Sequence, residues 1–271
     1  MMRRTPALLA LLLVAGLYAP EAVARATGDA VVDRVLSDPA ITESSGLARS
    51  TYARPLIWTH NDSGDTARIF AIRPNGQTRA TLELRCANAS DWEDISTGPD
   101  HTLWVGDIGD NALARTTIQV YRLQEPQEPR TGTVSCRRFD FAYPDGPHDA
   151  EALMVNPETG RLWIASKASD AGTFYRAPRQ LSPDHVNVLT ARGDAPALVT
   201  AGSFSPGGQR IAVSSYTRAV IYRTDLTFVR QFELRYDDRS ILGESLEYAR
   251  DGAHFYRGTE GSGSVVYRVA L

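Results

Sequence analysis

An all-β fold, a five-bladed β-propeller with its last blade closed by an N-terminal strand, follows from three observations on this 271-residue chain. Five short segments open with an oxygen-bearing side chain just before an apolar residue. They are Ser45-Gly46-Leu47, Glu93-Asp94-Ile95, Glu151-Ala152-Leu153, Thr200-Ala201-Gly202 and Glu244-Ser245-Leu246. Their steps are 48, 58, 49 and 44 residues, and self-similarity at such a period marks a propeller. A second series, Phe70, Tyr121, Tyr175, Tyr222 and Tyr267, steps by 51, 54, 47 and 45, so both series count the same units. The fifth repeat ends at Leu271 after three strands, while Val31–Leu36 stands unused before the first repeat. Donated to the last blade, that strand closes the ring and removes an open sheet edge.

Each repeat reads in the same order. The inner strand comes first and lines the channel. A second apolar run follows a turn: Leu56-Ile57-Trp58, Leu103-Trp104-Val105, Leu162-Trp163-Ile164, Ile211-Ala212-Val213 and the more polar Phe255-Tyr256. The third run carries the aromatic. Fourth strands are expected at Thr81–Cys86, Val134–Phe141 and Phe228–Tyr236, with the faintest at Val186–Leu189. Breakers such as Pro74-Asn75-Gly76 and Ser205-Pro206-Gly207-Gly208 separate the runs. Short β-branched and aromatic stretches bounded by such turns argue strands throughout.

Met1–Ala24 has the form of a secretory signal: Arg3 and Arg4, an apolar stretch over Ala7–Leu17, and small residues at Ala22-Val23-Ala24. A single domain over 25–271 is then expected in a secreted or periplasmic setting. The net charge is -3; without a basic stripe this argues against nucleic acid, and no amphipathic or polybasic segment suggests a membrane. A monomer is expected. Of 29 basic residues, all are Arg except Lys167. Cys86 and Cys136, the only thiols, fall on the outer strands of neighbouring blades, and the spacing leaves open whether they are bonded.

Function points to one end of the ring. The five inner-strand starts place Ser45, Glu93, Glu151, Thr200 and Glu244 around one axis. Like charges about 4 Å apart repel by about 4 kcal/mol per pair at an effective dielectric near 20, so such a ring calls for a cation, and hard oxygen ligands favour calcium. Loops after the second strands emerge on the same face. They carry His60, Asp62, Asp107, Asp110, Lys167 and Arg218 as candidate ligand-binding residues. Asp62, Asp107 and Asp110 are the candidates for catalysis.

The order Ser, Glu, Glu, hydroxyl, Glu on successive inner strands resembles the calcium ring of the calcium-activated nucleotidase (apyrase) family, five-bladed propellers in which such residues hold one calcium. The starts Trp92-Glu93-Asp94-Ile95 and Ala150-Glu151-Ala152-Leu153 are also similar to the bacterial SdiA-regulated propellers, which are exported. The resemblance implies calcium held by Ser45, Glu93, Glu151, Thr200 and Glu244. In the apyrase-like loop His60-Asn61-Asp62-Ser63-Gly64, Ser63 replaces the expected Arg. The expectation is therefore an exported calcium-binding propeller whose top face takes a small polar or anionic ligand, or a protein partner. Two alternatives are a calcium-dependent hydrolase of phosphoanhydrides or phosphate esters and, from three carboxylates at one mouth, a glycosidase.

Overall fold

The computed structural model describes residues 26–27, 30–52, 55–234 and 243–271. The expected signal segment, Met1–Ala24, lies outside the described residues. Strands form five separate sheets, and their inner strands touch one another in a closed ring. In chain order these are Ser44–Arg49, Trp92–Gly98, Ala150–Val155, Ala201–Phe204 and Gly243–Tyr248. The N-terminal strand Ala30–Val35 pairs antiparallel with Val265–Ala270, with Val32 opposite Tyr267, and so completes the fifth blade.

The core is divided by interface. Five apolar clusters form, one between each pair of neighbouring blades. The repeated aromatic fills the gap to the preceding blade every time: Tyr121 packs with Trp58 and Ile69, Tyr175 with Trp104 and Phe139, and Phe70 closes the ring against Val266. Tyr222 and Tyr267 do the same from the rims of their clusters. Large rings at this position explain the period, because each buries substantial apolar area against the neighbouring sheet.

Side chains also bolt the blades together near the axis. Ser45 Oγ donates to Glu93 O at 2.7 Å, and Thr200 Oγ1 to Gly243 O at 3.0 Å. Leu153 N–H donates to Asp94 at 2.9 Å, and Asn156 Nδ2 to Gly208 O at 2.9 Å. Arg49 pairs with Glu247 between the first and fifth blades.

Three blades gain a fifth, parallel edge strand from the segment that precedes the next blade's outer strand. Gly132–Val134 lies on Thr78–Leu84, Asn187–Val188 on Cys136–Ala142, and Ala26–Thr27 on Phe228–Glu233. These straps cover edges that would otherwise offer unpaired backbone. The first brings Cys136 across to Cys86, and the two are disulfide-bonded with Cα atoms 5.5 Å apart. The fourth strand of the third blade is corrected: Thr190–Ala195, not Val186–Leu189, pairs with Gly172–Arg176. Asn187–Val188 straps the second blade instead. Thr190–Ala195 is largely exposed and bulged beside Gly193, so it lacks the apolar alternation of a half-buried strand.

Candidate metal centre at the mouth of the channel

Backbone bulges aim the ring residues. Pairing between the first two strands of the second blade skips from Trp92–Asp107 to Asp94–Gly106, leaving Glu93 unpaired. Glu151 is passed over between Ala150 and Ala152, and Glu244 between Gly243 and Ser245. In the first blade the break spans Ser45 and Gly46. A bulge kinks the strand and redirects one side chain, which is why bulges gather beside functional sites. In the fourth blade the pairing of the first two strands is regular, and Thr200 N–H keeps its bond to Ser214 O.

Among the described residues two sets of three carboxylates result, each with ligand oxygens within 4.8 Å of one another: Asp62, Asp91 and Glu93, then Glu93, Asp149 and Glu151. Glu93 belongs to both. Glu93 and Glu151 are only 4% and 6% exposed. Their carboxyl groups hydrogen-bond to each other, and burial, then the Glu151 charge, drives the Glu93 pKa far up. Lys167 Nζ sits 2.6 Å from Glu151 and 5.5 Å above the Tyr216 ring. The only lysine of the chain is therefore the counter-ion of this cluster. Burial and the charges of Asp62 and Asp149 raise Asp91 to about 6. Burial, then Glu151 and Glu260, raises Glu244 to about 7.

Gly109 forms part of the wall. A Cβ there would lie 2.5 Å from Asp91 Oδ2 and closer still to Glu93 Oε1. The backbone passes so near the carboxylates that a side chain here would have to push them aside. Concentrated like charge, oxygen-only donors and a bare backbone wall suit a hard cation, since soft metals favour sulfur and nitrogen.

The expected site residues separate. Asp62, Glu93 and Glu151 come together, and Lys167 joins them. Glu244 stands outside both sets but feels Glu151. Ser45 and Thr200 give their hydroxyl protons to interblade carbonyls. Asp107 is fully buried, ion-paired to Arg115 at 2.8 Å, and accepts the N–H groups of Ser90 and Asp91. Asp110 caps Ala114 and Arg115, and donates its own N–H to Asp149 at 2.9 Å. Asp107 and Asp110 thus shape the loop beside the cluster rather than face a ligand. His60 is buried against Trp92, its Nδ1–H on Asn61 O, and desolvation lowers its pKa to about 4. Arg218 is exposed at the start of its strand. Arg68, near the apyrase-like loop, is held by Asp65 at 2.8 Å.

Asp91 and Asp149 are absent from the expected ligands. Their signal was in the chain: each stands two residues before a ring glutamate, Asp91-Trp92-Glu93 and Asp149-Ala150-Glu151.

No protein-family model matches this chain, and no curated protein does. Among solved structures, a gluconolactonase from Xanthomonas campestris, described as important in glucose secondary metabolic pathways, is similar in fold. The TM-score is 0.53 at 14% identity, over 93% of this chain and 92% of that one. At that identity the likeness establishes architecture alone.

Proposed function

We propose that this chain is an exported calcium-binding propeller whose acidic pole holds the ion and docks a small polar or anionic ligand. The sharing of Glu93 between two sets of three carboxylates carries the reading. Calcium takes six to eight oxygens in adaptable geometry, whereas magnesium demands an octahedron and keeps its waters. Glu93 and Glu151 would be the inner ligands, with Asp62, Asp91 and Asp149 around them. Glu244, Ser45 and Thr200 complete the ring that the resemblance to apyrases implies. The resemblance to SdiA-regulated propellers and the signal-like start support export.

A second reading, a calcium-dependent hydrolase, is favoured by the surplus of carboxylates over what one ion needs. Asp62, half-buried at the rim of the cluster, would orient water while the ion offsets charge on a phosphate or ester. Asp107 and Asp110, committed to backbone and Arg115, supply no such group. A gluconolactonase of the same fold is in keeping with hydrolysis.

The test is a thermal-shift and turnover panel on the calcium-loaded protein, covering nucleoside diphosphates, phosphate esters and sugar lactones. Ligand protection without turnover supports the binding reading. Turnover that disappears in Asp62→Asn, with the fold intact, selects the hydrolase. A panel with neither protection nor turnover removes both.

A further inference from the structure

At the end of the propeller away from the acidic pole, the turns of the third and fourth blades enclose a cavity of about 380 Å³. Arg161, Arg176 and Arg179 line it, with Trp163, Gln209 and one carboxylate, Glu158. Arg192, on the exposed outer strand, adds a fourth cation close enough to act on both Arg161 and Arg176. Among the described residues, none of these four guanidiniums forms an ion pair. Arg161 Nε donates to Ala177 O at 2.9 Å, which fixes its plane. Arg176 lies with Cζ 5.6 Å above the Trp163 ring, and its buried Nε has no hydrogen-bond partner. Burial and the neighbouring guanidiniums together lower the pKa of Arg161 and of Arg176. Cations gathered and left unpaired in this way repel one another unless an anion is present.

We infer that this cavity binds a phosphate monoester carried on a small soluble molecule. Three lining guanidiniums against one carboxylate leave an excess of two positive charges, which matches a dianionic phosphate better than a single carboxylate. Guanidinium forks meet phosphate oxygens in bidentate geometry. None of the lining residues is an exposed large apolar side chain that could enter a bilayer, so a soluble ligand fits better than a lipid headgroup. The site is independent of the metal centre, from which it is separated by the length of the inner strands.

Calorimetric titration of metal-stripped protein with phenyl phosphate at low salt tests it. The wild type should bind, and Arg179→Gln, at an exposed position, should weaken binding about tenfold without touching the fold. Arg176→Gln should do at least as much, Glu158→Gln should tighten binding, and Glu83→Gln, exposed on the outer strand of the first blade, should change nothing. The inference fails if folded wild-type protein gives no binding heat. It also fails if both arginine variants bind as tightly as the wild type, or if the protein sediments with phosphatidic acid vesicles yet ignores phenyl phosphate.

Discussion

Replacing Gly109 by alanine probes the acidic pole without removing a charge. Both backbone groups of Gly109 are held, N–H on Asp91 O at 3.2 Å and C=O by Arg115 at 2.7 Å. The new methyl group cannot swing aside, so the Asp91 and Glu93 carboxylates must move away from a Cβ that would lie 2.5 Å or less from them. In the metal-free protein that motion is easy, because the atoms met are the free ends of flexible side chains. Under the proposed calcium binding they would be ligands, and displacing them is the overpacking problem, costing about 1–3 kcal/mol. Calcium affinity measured by calorimetry should therefore fall roughly 5- to 150-fold, while the metal-free melting temperature barely changes. Gly207→Ala, where an added Cβ meets nothing within 4 Å, is the matched control and should bind as the wild type does. If Gly109→Ala holds calcium as tightly as the wild type, the carboxylates around Gly109 do not ligate the ion.

Stability of the metal-free protein should fall as pH rises from 6.5 to 8. Glu244 and Asp91 titrate at about 7 and 6 in the fold against ordinary values of 4.5 and 3.8, so the folded state keeps protons that the unfolded chain has released. His60 acts with the opposite sign, because over this range the unfolded imidazole sheds its remaining charge while the folded one is already neutral, and it offsets part of the slope. Saturating calcium should abolish the slope, because bound carboxylates are already deprotonated; a metal-free melting temperature higher at pH 8 would contradict the assignment. Reducing Cys86–Cys136, which closes a separation of 50 residues, should cost about 4 kcal/mol, seen as a melting point lower by roughly 8–16 °C; identical melts with and without reductant would refute this. Deleting Ala30–Val35 should leave the Val265–Ala270 edge unpaired and yield aggregates on size exclusion, whereas a soluble monomer of unchanged stability would show that closure is dispensable.

What the sequence displays and what it hides follow from the range of the interactions. The repeat is legible because Tyr121, Tyr175 and their equivalents must each bury a ring against the preceding blade, which forces one aromatic per period. The closing strand is legible because the fifth repeat lacks a partner for Val265–Ala270. The outer strand of the third blade is hidden, since Thr190–Ala195 is held by backbone pairing and carries no apolar face. At the site, the ring glutamates show by register, but the bulges that free Glu93 and Glu151 from the ladder leave no residue signature. Asp107 and Asp62 look alike as loop acids. Only the arrival of Arg115 and of the Ser90 and Asp91 amides, set by the folded loop, turns Asp107 inward.

Titration of metal-stripped protein with calcium, alongside Glu93→Gln and Glu158→Gln, tests the metal centre most directly. Glu93 is common to both carboxylate sets, whereas Glu158 lies in a turn at the far end. The wild type should take up a single ion and gain about 2.7 kcal/mol of stability at a hundredfold excess over the dissociation constant. Glu93→Gln should lose that gain, and Glu158→Gln should keep it. An unchanged melting temperature on calcium addition, no binding heat and no metal by elemental analysis of the purified protein would contradict the account.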